Sequence, residues 1–247
     1  MNLDPRSLFE LAFYSSFLLA IASVLLAKWR VPLLLKYGKT LQGVPPETGI
    51  LGSLQRLTVP KKWFGHFYVY STALALLNVC TLRSFTSLLV LAHSARRLYE
   101  TRCVSKFGKD SRIHISHYLV GIWFYTVANY AVFVDRTRAY SPLARLVAVI
   151  MFVLSSFDQH QNHLHLSKLV KYTLPTYGLF QLISSPHYFD EILIYSSLAI
   201  YTSSFKMFLC LMWVIINLST SALETKGWYA KKFPQSAPPF AIIPYLL

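Results

Sequence analysis

The 247 residues carry a net charge of +14, yet only 14% are charged and 54% are hydrophobic. Soluble domains hold roughly 25% charged residues, so this balance, with a mean hydropathy of +0.42, excludes an ordinary water-soluble fold. Cys80, Cys103 and Cys210 show no CxxC or paired spacing, which excludes a disulfide scaffold and a thiolate metal site.

A membrane helix needs about 20 mostly apolar residues. The first candidate is Leu8–Ala27. It contains Glu10, is followed by Lys28, Trp29 and Arg30, and lacks a small-residue cleavage site, so it reads as a retained span and not a signal peptide. Gly38–Pro60, with Gly43, Pro45, Pro46, Gly49 and Gly52, reads as irregular surface chain. Phe67–Ala92 is long enough for one tilted span or two short ones, because Arg83 sits near its middle. Ile113–Val134, Leu143–Phe157, Ile192–Ser204 and Phe205–Leu218 follow. The pattern predicts one all-α integral membrane domain over residues 1–247, a bundle of six to seven transmembrane helices. Pro234, Pro238, Pro239 and Pro244 rule out a long helix in the tail, although "AIIPYLL" is apolar enough to dock on the bundle or the membrane.

The positive charge lies in the loops, at Lys28–Lys39, Arg56–Lys62, Arg96–Arg112, Arg136–Arg145, Lys168–Lys171 and Lys226–Lys232. These clusters follow successive spans, so up-down threading cannot put them all on one side, and they leave orientation open. Anionic lipid heads and a phosphorylated ligand both fit them; nucleic acid is not expected.

Three polar stretches exceed what a membrane anchor needs. In residues 93–121, Arg96, Arg97, Lys106, Lys109 and Arg112 precede His114 and His117, three apart and expected on one helical face at the mouth of a span. In "FDQHQNHLHLSKLVKY", residues 157–172, Gln159 and His163 share a helical face. His160, His163 and His165 lack the HxxxH spacing of a zinc helix, so no metal is expected. Amide and imidazole donors followed by Lys168 and Lys171 suit a cofactor bearing an amide and phosphates. In "SSPHYFDEILIYSSLAIY", residues 184–201, Ser185 is a good N-cap and Pro186 suits the first helical position. Asp190 and Glu191 are expected near the first turn, where negative charge complements the helix dipole. That leaves His187 and Glu191, four apart and close to hydrocarbon, where an ionisable group is costly without a partner.

"RIHISHYLVG", "LPTYGLFQLISSPHYFDEILIYSSLAI" and "GWYAKKFPQSAPPFAIIPYLL" resemble the steroid 5α-reductase family, and "YGKT" with "VPKKWFGHFYVY" is similar to its polyprenol reductase branch. The resemblance implies a seven-helix membrane enzyme that uses NADPH to saturate a carbon–carbon double bond. In this branch that is the α-isoprene double bond of polyprenol or polyprenal, giving dolichol or dolichal for protein N-glycosylation in the endoplasmic reticulum membrane. By motif, it assigns the cofactor to Arg97, Gln159, His163, Tyr172, His187, Glu191, Trp228 and Tyr229, with a pocket mainly from residues 93–247. The chain departs from the family at Val170, where an arginine is usual, and at Pro239 and Phe240, where a basic pair is usual. Lys168, Lys171, Lys231 or Lys232 are expected to meet the phosphates in their place, and Lys171 is included in the cofactor set.

Hydride addition needs an electrophilic carbon. A conjugated aldehyde offers one, with a donor stabilising the enolate oxygen, whereas an isolated allylic alcohol does not. Tyr118, His117 and Tyr68, polar groups near span ends, are the candidates for that donor and for the proton. The expected partners are a long-chain polyisoprenoid and membrane lipids, with no obligate protein partner. An isoprenylcysteine-type methyltransferase and a non-catalytic lipid-binding protein are the alternative readings.

Overall fold

The structure, a computed structural model, describes residues 4–30, 56–134, 141–170 and 173–247. Among them are seven α-helices: α1 (Pro5–Arg30), α2 (Phe64–Leu82), α3 (Phe85–Tyr99), α4 (Ile115–Val134), α5 (Pro142–Lys168), α6 (Pro186–Thr202) and α7 (Phe205–Lys232). By length and composition, four can cross a membrane: Ser7–Arg30, Ile115–Val134, Pro142–Lys168 and Phe205–Lys232.

Helix α5 indicates the solvent these helices meet. Leu143, Leu146, Val147, Ile150, Val153, Leu154 and Phe157 point outward and are exposed. Ala148, Phe152, Ser155, Gln159 and Asn162 point inward and are buried. A helix with its polar face inside and its apolar face outside is stable only where the surroundings are hydrocarbon. Leu18, Leu19, Leu25 and Leu26 give α1 the same outward face. Leu143–Phe157 was therefore too short a span. The helix continues to Lys168 and carries the Gln159–His163 face into the protein.

Of the two readings of Phe67–Ala92, the structure has the second: the segment is two helices. Arg83 adopts a left-handed conformation (φ +50°) that closes α2. Ser84 then starts α3, its Oγ accepting from the Ser87 N–H at 3.2 Å. The same device separates α6 from α7, with Ser203 at φ +49° and Ser204 Oγ accepting from the Met207 N–H at 3.1 Å. Each left-handed residue turns the chain sharply, and each serine satisfies an orphan N–H of the next helix. The helices packed on one another are α5 with α6, α2 with α3 and α4, and α6 with α7.

Two expectations are corrected. The domain is not wholly helical: β1 (Thr58–Pro60) pairs antiparallel with β2 (Arg112–His114), so the end of the supposed irregular loop is a strand. His114 consequently belongs to β2, and α4 begins at Ile115, so His114 and His117 do not share a helical face. The ladder takes the 112–114 backbone, with Ile113 fully buried, and His114 Nδ1 accepts from the N–H of Ser116 at 3.2 Å. The tail docks on the bundle. Ser184 N–H donates to the Phe240 carbonyl at 2.9 Å, and Ala241 and Ile242 are buried.

Candidate functional site

The buried face of α5 meets α6 through two side-chain amides. Gln159 Nε2 donates to the His187 carbonyl at 2.8 Å and to Glu191 Oε2 at 2.6 Å. Its Oε1 accepts from Arg96 Nη2 at 2.6 Å, so three bonds hold a side chain that is almost wholly buried. One turn on, Asn162 Nδ2 donates to Asp190 Oδ2 at 2.8 Å. His93 Nε2 lies 3.3 Å from the other Glu191 oxygen.

These contacts revise the reading of the acidic pair. Pro186 is the first helical residue, so Asp190 and Glu191 fall in the second turn, and the first turn of α6 holds no acid. Their partners are the amides of α5 and His93, not the helix dipole. Ser185 stands at the N-cap, but its side chain makes no capping bond.

A carboxylate not expected at the site lies at its centre. Glu100 opens a π-helical turn, Glu100–Val104, after α3 and is fully buried. Arg96 Nη1 and His160 Nδ1 approach its Oε1 at 2.6 and 2.9 Å. Arg97 Nη1 and His163 Nδ1 approach Oε2 at 2.5 and 2.8 Å. Burial alone would raise the carboxyl pKa. The His163 hydrogen bond and the Arg97 and Arg96 charges outweigh it and hold the group well below the usual carboxylate range. Arg97 Nη1 also lies 3.0 Å from His163 Nδ1. An Nδ1–H donated to Glu100 cannot accept from Arg97, so the carboxylate is the partner the two share.

Two cavities adjoin this cluster. An apolar chamber of about 380 Å³ reaches from α1, at Ala20 and Val24, past Phe67, Phe124 and Trp213 to Tyr68, Arg97, Gln159 and Glu191. A polar cavity of about 590 Å³ lies under the loops, lined by Lys61, Lys106, Ser185, Glu224, Trp228 and Tyr229 among others. His163, His187, Tyr188 and Ser221 line both, so the cavities meet there.

The predicted residues divide between these spaces. Tyr68, His117, Arg97, Gln159 and Glu191 line the chamber, Trp228 and Tyr229 the polar cavity, and His163 and His187 the junction. Tyr118 lines neither. Its hydroxyl lies 3.2 Å from His66 Nδ1 and its ring packs on Trp63. Arg97, expected among the cofactor residues, donates from Nη2 to the Tyr68 phenolic oxygen at 2.8 Å. Lys171 and Tyr172 lie outside the described residues. Lys168, Lys231 and Lys232 do not line the polar cavity; Lys61 and Lys106 do, brought there by the ribbon and the loop before β2. The cavity draws almost entirely on residues beyond 93, whereas α1 and α2 also wall the chamber.

A helical bundle with hydrocarbon-compatible outer faces, an apolar chamber and a polar cavity walled in part by the same four side chains defines a multi-pass membrane protein with two adjoining internal spaces. Residues 111–247 match the 3-oxo-5-alpha-steroid 4-dehydrogenase family, and the chain belongs to that family of oxidoreductases. It is 41% identical, over the whole of both chains, to the polyprenal reductase of Saccharomyces cerevisiae. It is 30% identical to the polyprenal reductase of Caenorhabditis elegans, covering 88% of this chain and 87% of that one. It is 25% identical to the polyprenal reductase of Homo sapiens, covering 94% and 92%.

Proposed function

We propose that this chain reduces the α-isoprene double bond of a long-chain polyprenal, with NADPH as reductant, on the path to dolichol for protein N-glycosylation. The relatives' names supply the substrate class. The observation that carries the reading to this chain is the meeting of the apolar chamber and the polar cavity at His163 and His187.

The polar cavity suits the cofactor. Its volume, about 590 Å³, falls within the range of roughly 300–1,000 Å³ usual for ligand pockets. Lys61 and Lys106 bring positive charge suited to phosphates. The Ser185 hydroxyl, buried and without a hydrogen-bond partner among the described residues, lines the same space. His187, Gln159 and Glu191 would hold the nicotinamide amide at the junction, and Trp228 and Tyr229 the far end. NADPH, when bound, supplies a hydride for the β-carbon.

The chain's own work is at the carbonyl oxygen and the α-carbon. As hydride arrives, negative charge develops on the aldehyde oxygen and needs a donor in a dry site. Tyr68 suits this role. Its oxygen already accepts from Arg97, which leaves its O–H free to point to substrate. His117, also on the chamber wall, is the second donor candidate. The α-carbon would take a proton from one of these groups, which is reprotonated from solvent as the saturated aldehyde leaves. Phe67, Phe124 and Trp213 exclude water around the isoprenoid, whose tail would run along Ala20 and Val24 of α1 toward lipid.

We read all seven helices as embedded in the endoplasmic reticulum membrane. The test is turnover by the purified chain with NADPH and either polyprenal or polyprenol. Saturated aldehyde formed from polyprenal alone is the expected result. Turnover of alcohol with no aldehyde present would refute the direct substrate, and no turnover of either would refute the function.

A further inference from the structure

Each arginine of the pair Arg96–Arg97 spends one Nη on Glu100 and the other on a different side of the site. Arg97 holds Glu100 with Nη1 at 2.5 Å and Tyr68 with Nη2 at 2.8 Å. Arg96 holds Glu100 with Nη1 at 2.6 Å and Gln159 with Nη2 at 2.6 Å. Gln159 in turn fixes Glu191 and the His187 carbonyl. A guanidinium is planar, so anchoring one Nη fixes the direction of the other. The one carboxylate therefore sets both arms.

The backbone is shaped to bring it there. The Ser105 N–H donates to the Glu100 carbonyl at 2.8 Å, a bond to the fifth residue back, and the wide turn follows α3 directly. A plain α-helix would have continued the 3.6-residue rotation past this point; π-turns of this kind are found disproportionately at functional sites. His160 and His163 close the remaining lone pairs from α5, so no oxygen of the carboxylate is left to water. Burying such a set of charges adds little to stability compared with apolar packing of the same volume. A role in stability alone is thus a poor account of it.

We propose that Glu100 is a positioning residue that couples the cofactor side of the site to the proton donor. Through Arg97 it aims Tyr68 into the chamber; through Arg96 and Gln159 it aims Glu191 and His187 at the junction. It touches neither substrate nor cofactor. The proposal rests on the reductase reading for its chemistry, but its binding arm does not require polyprenal.

The test is Glu100→Gln in full-length protein in lipid nanodiscs, which keeps the shape but turns one oxygen into a donor facing donors. NADPH affinity is followed by tryptophan fluorescence and turnover by NADPH oxidation. NADPH Kd is expected to rise about tenfold, the scale of one charge-assisted bond. At saturating NADPH, kcat is expected to fall about 100-fold, the scale of a misaimed catalytic group, with the KM for polyprenal within about threefold. Because Glu100 acts through Tyr68, Glu100→Gln is expected to lower the kcat of Tyr68→Phe by no more than about twofold further. A purely structural role would lower the melting temperature without this split. Unchanged Kd and kcat, or losses that multiply fully with those of Tyr68→Phe, would overturn the proposal. Should Glu100→Gln fail to fold, Glu100→Asp replaces it: the charge stays and the reach shortens, so kcat is expected to fall at least about fivefold with near-normal melting. Wild-type Kd and kcat in Glu100→Asp would overturn the proposal. If wild type binds NADPH but consumes none with polyprenal, the substrate reading fails, while the change in Kd still decides the cofactor half of the coupling. If wild type does not bind NADPH, both fail.

Discussion

Replacing Tyr68 by Phe removes one oxygen from the chamber wall and isolates its chemical role. The ring's packing against Tyr125, with centroids 5.6 Å apart, survives the change. Arg97 Nη2 loses its 2.8 Å acceptor but keeps its guanidinium anchored on Glu100 through Nη1. The structural cost is thus one unsatisfied donor at a cavity edge, about 1 kcal/mol, or a drop of roughly 2–4 °C in melting temperature. The catalytic cost is larger, because a positioned general acid contributes about 10²–10⁴ to the rate. With Arg97 still present and water able to enter the vacated space, we expect kcat to fall about 10²- to 10³-fold, or about 3–4 kcal/mol of transition-state stabilisation. NADPH affinity should not change, since Tyr68 lines only the chamber. The assay is single-turnover NADPH oxidation with saturating polyprenal, paired with equilibrium NADPH binding and a melting curve. A kcat within about threefold of wild type would refute Tyr68 as the donor and leave His117 as the candidate on the wall.

Gly121→Ala should narrow the chamber. An added Cβ would lie 2.7 Å from Phe67 Cζ, and both residues line the space, so the ring must move. We expect kcat/KM for polyprenal to fall about fivefold or more with NADPH Kd unchanged, read by steady-state kinetics. Gln159→Leu removes the acceptor of Arg96 and the donor to Glu191. It should raise NADPH Kd about tenfold or more and lower the melting temperature by several degrees, seen by fluorescence titration and thermal scans. Glu100 also predicts acid sensitivity. Its pKa is lowered in the folded state, so its stabilising contribution is complete above the ordinary glutamate value of about 4.3 and declines as pH falls below it. Melting temperature should therefore fall more between about pH 5 and pH 3.5 in wild type than in Glu100→Gln; equal slopes would contradict the assignment.

Features governed by local spacing were legible in the chain itself. Apolar runs of sufficient length marked α1, α4, α5 and α7, because crossing hydrocarbon requires length and composition and little else. Arg83 made a break one of two readings of its segment, and the left-handed turn there decides for two helices. That Gln159 and His163 share one helical face, and His187 and Glu191 another, was legible because helical periodicity is a short-range rule.

What spacing does not carry is which element lies opposite. The acids of α6 were first read as dipole partners, and only the packing of α5 on α6 gave them Gln159 and Asn162, 32 and 28 residues away. Arg97 belonged by motif to the cofactor set, and the approach of α2 to α3 gives it Tyr68 as a partner. Lys61 and Lys106 reached the polar cavity through a ribbon of three-residue strands, too short to leave an alternating pattern. Glu100 carried only the local signal of its spacing from Arg96 and Arg97, which reads as an ordinary helical ion pair. Its four partners come from its own helix end and from a helix 60 residues on, so its role exists only where α3, its π-turn and α5 meet. The chain alone determined which segments are long and apolar enough to cross a membrane and which polar residues stand out beside them. The tertiary structure decided what each is paired with, because a buried charge is defined by the groups that surround it in space.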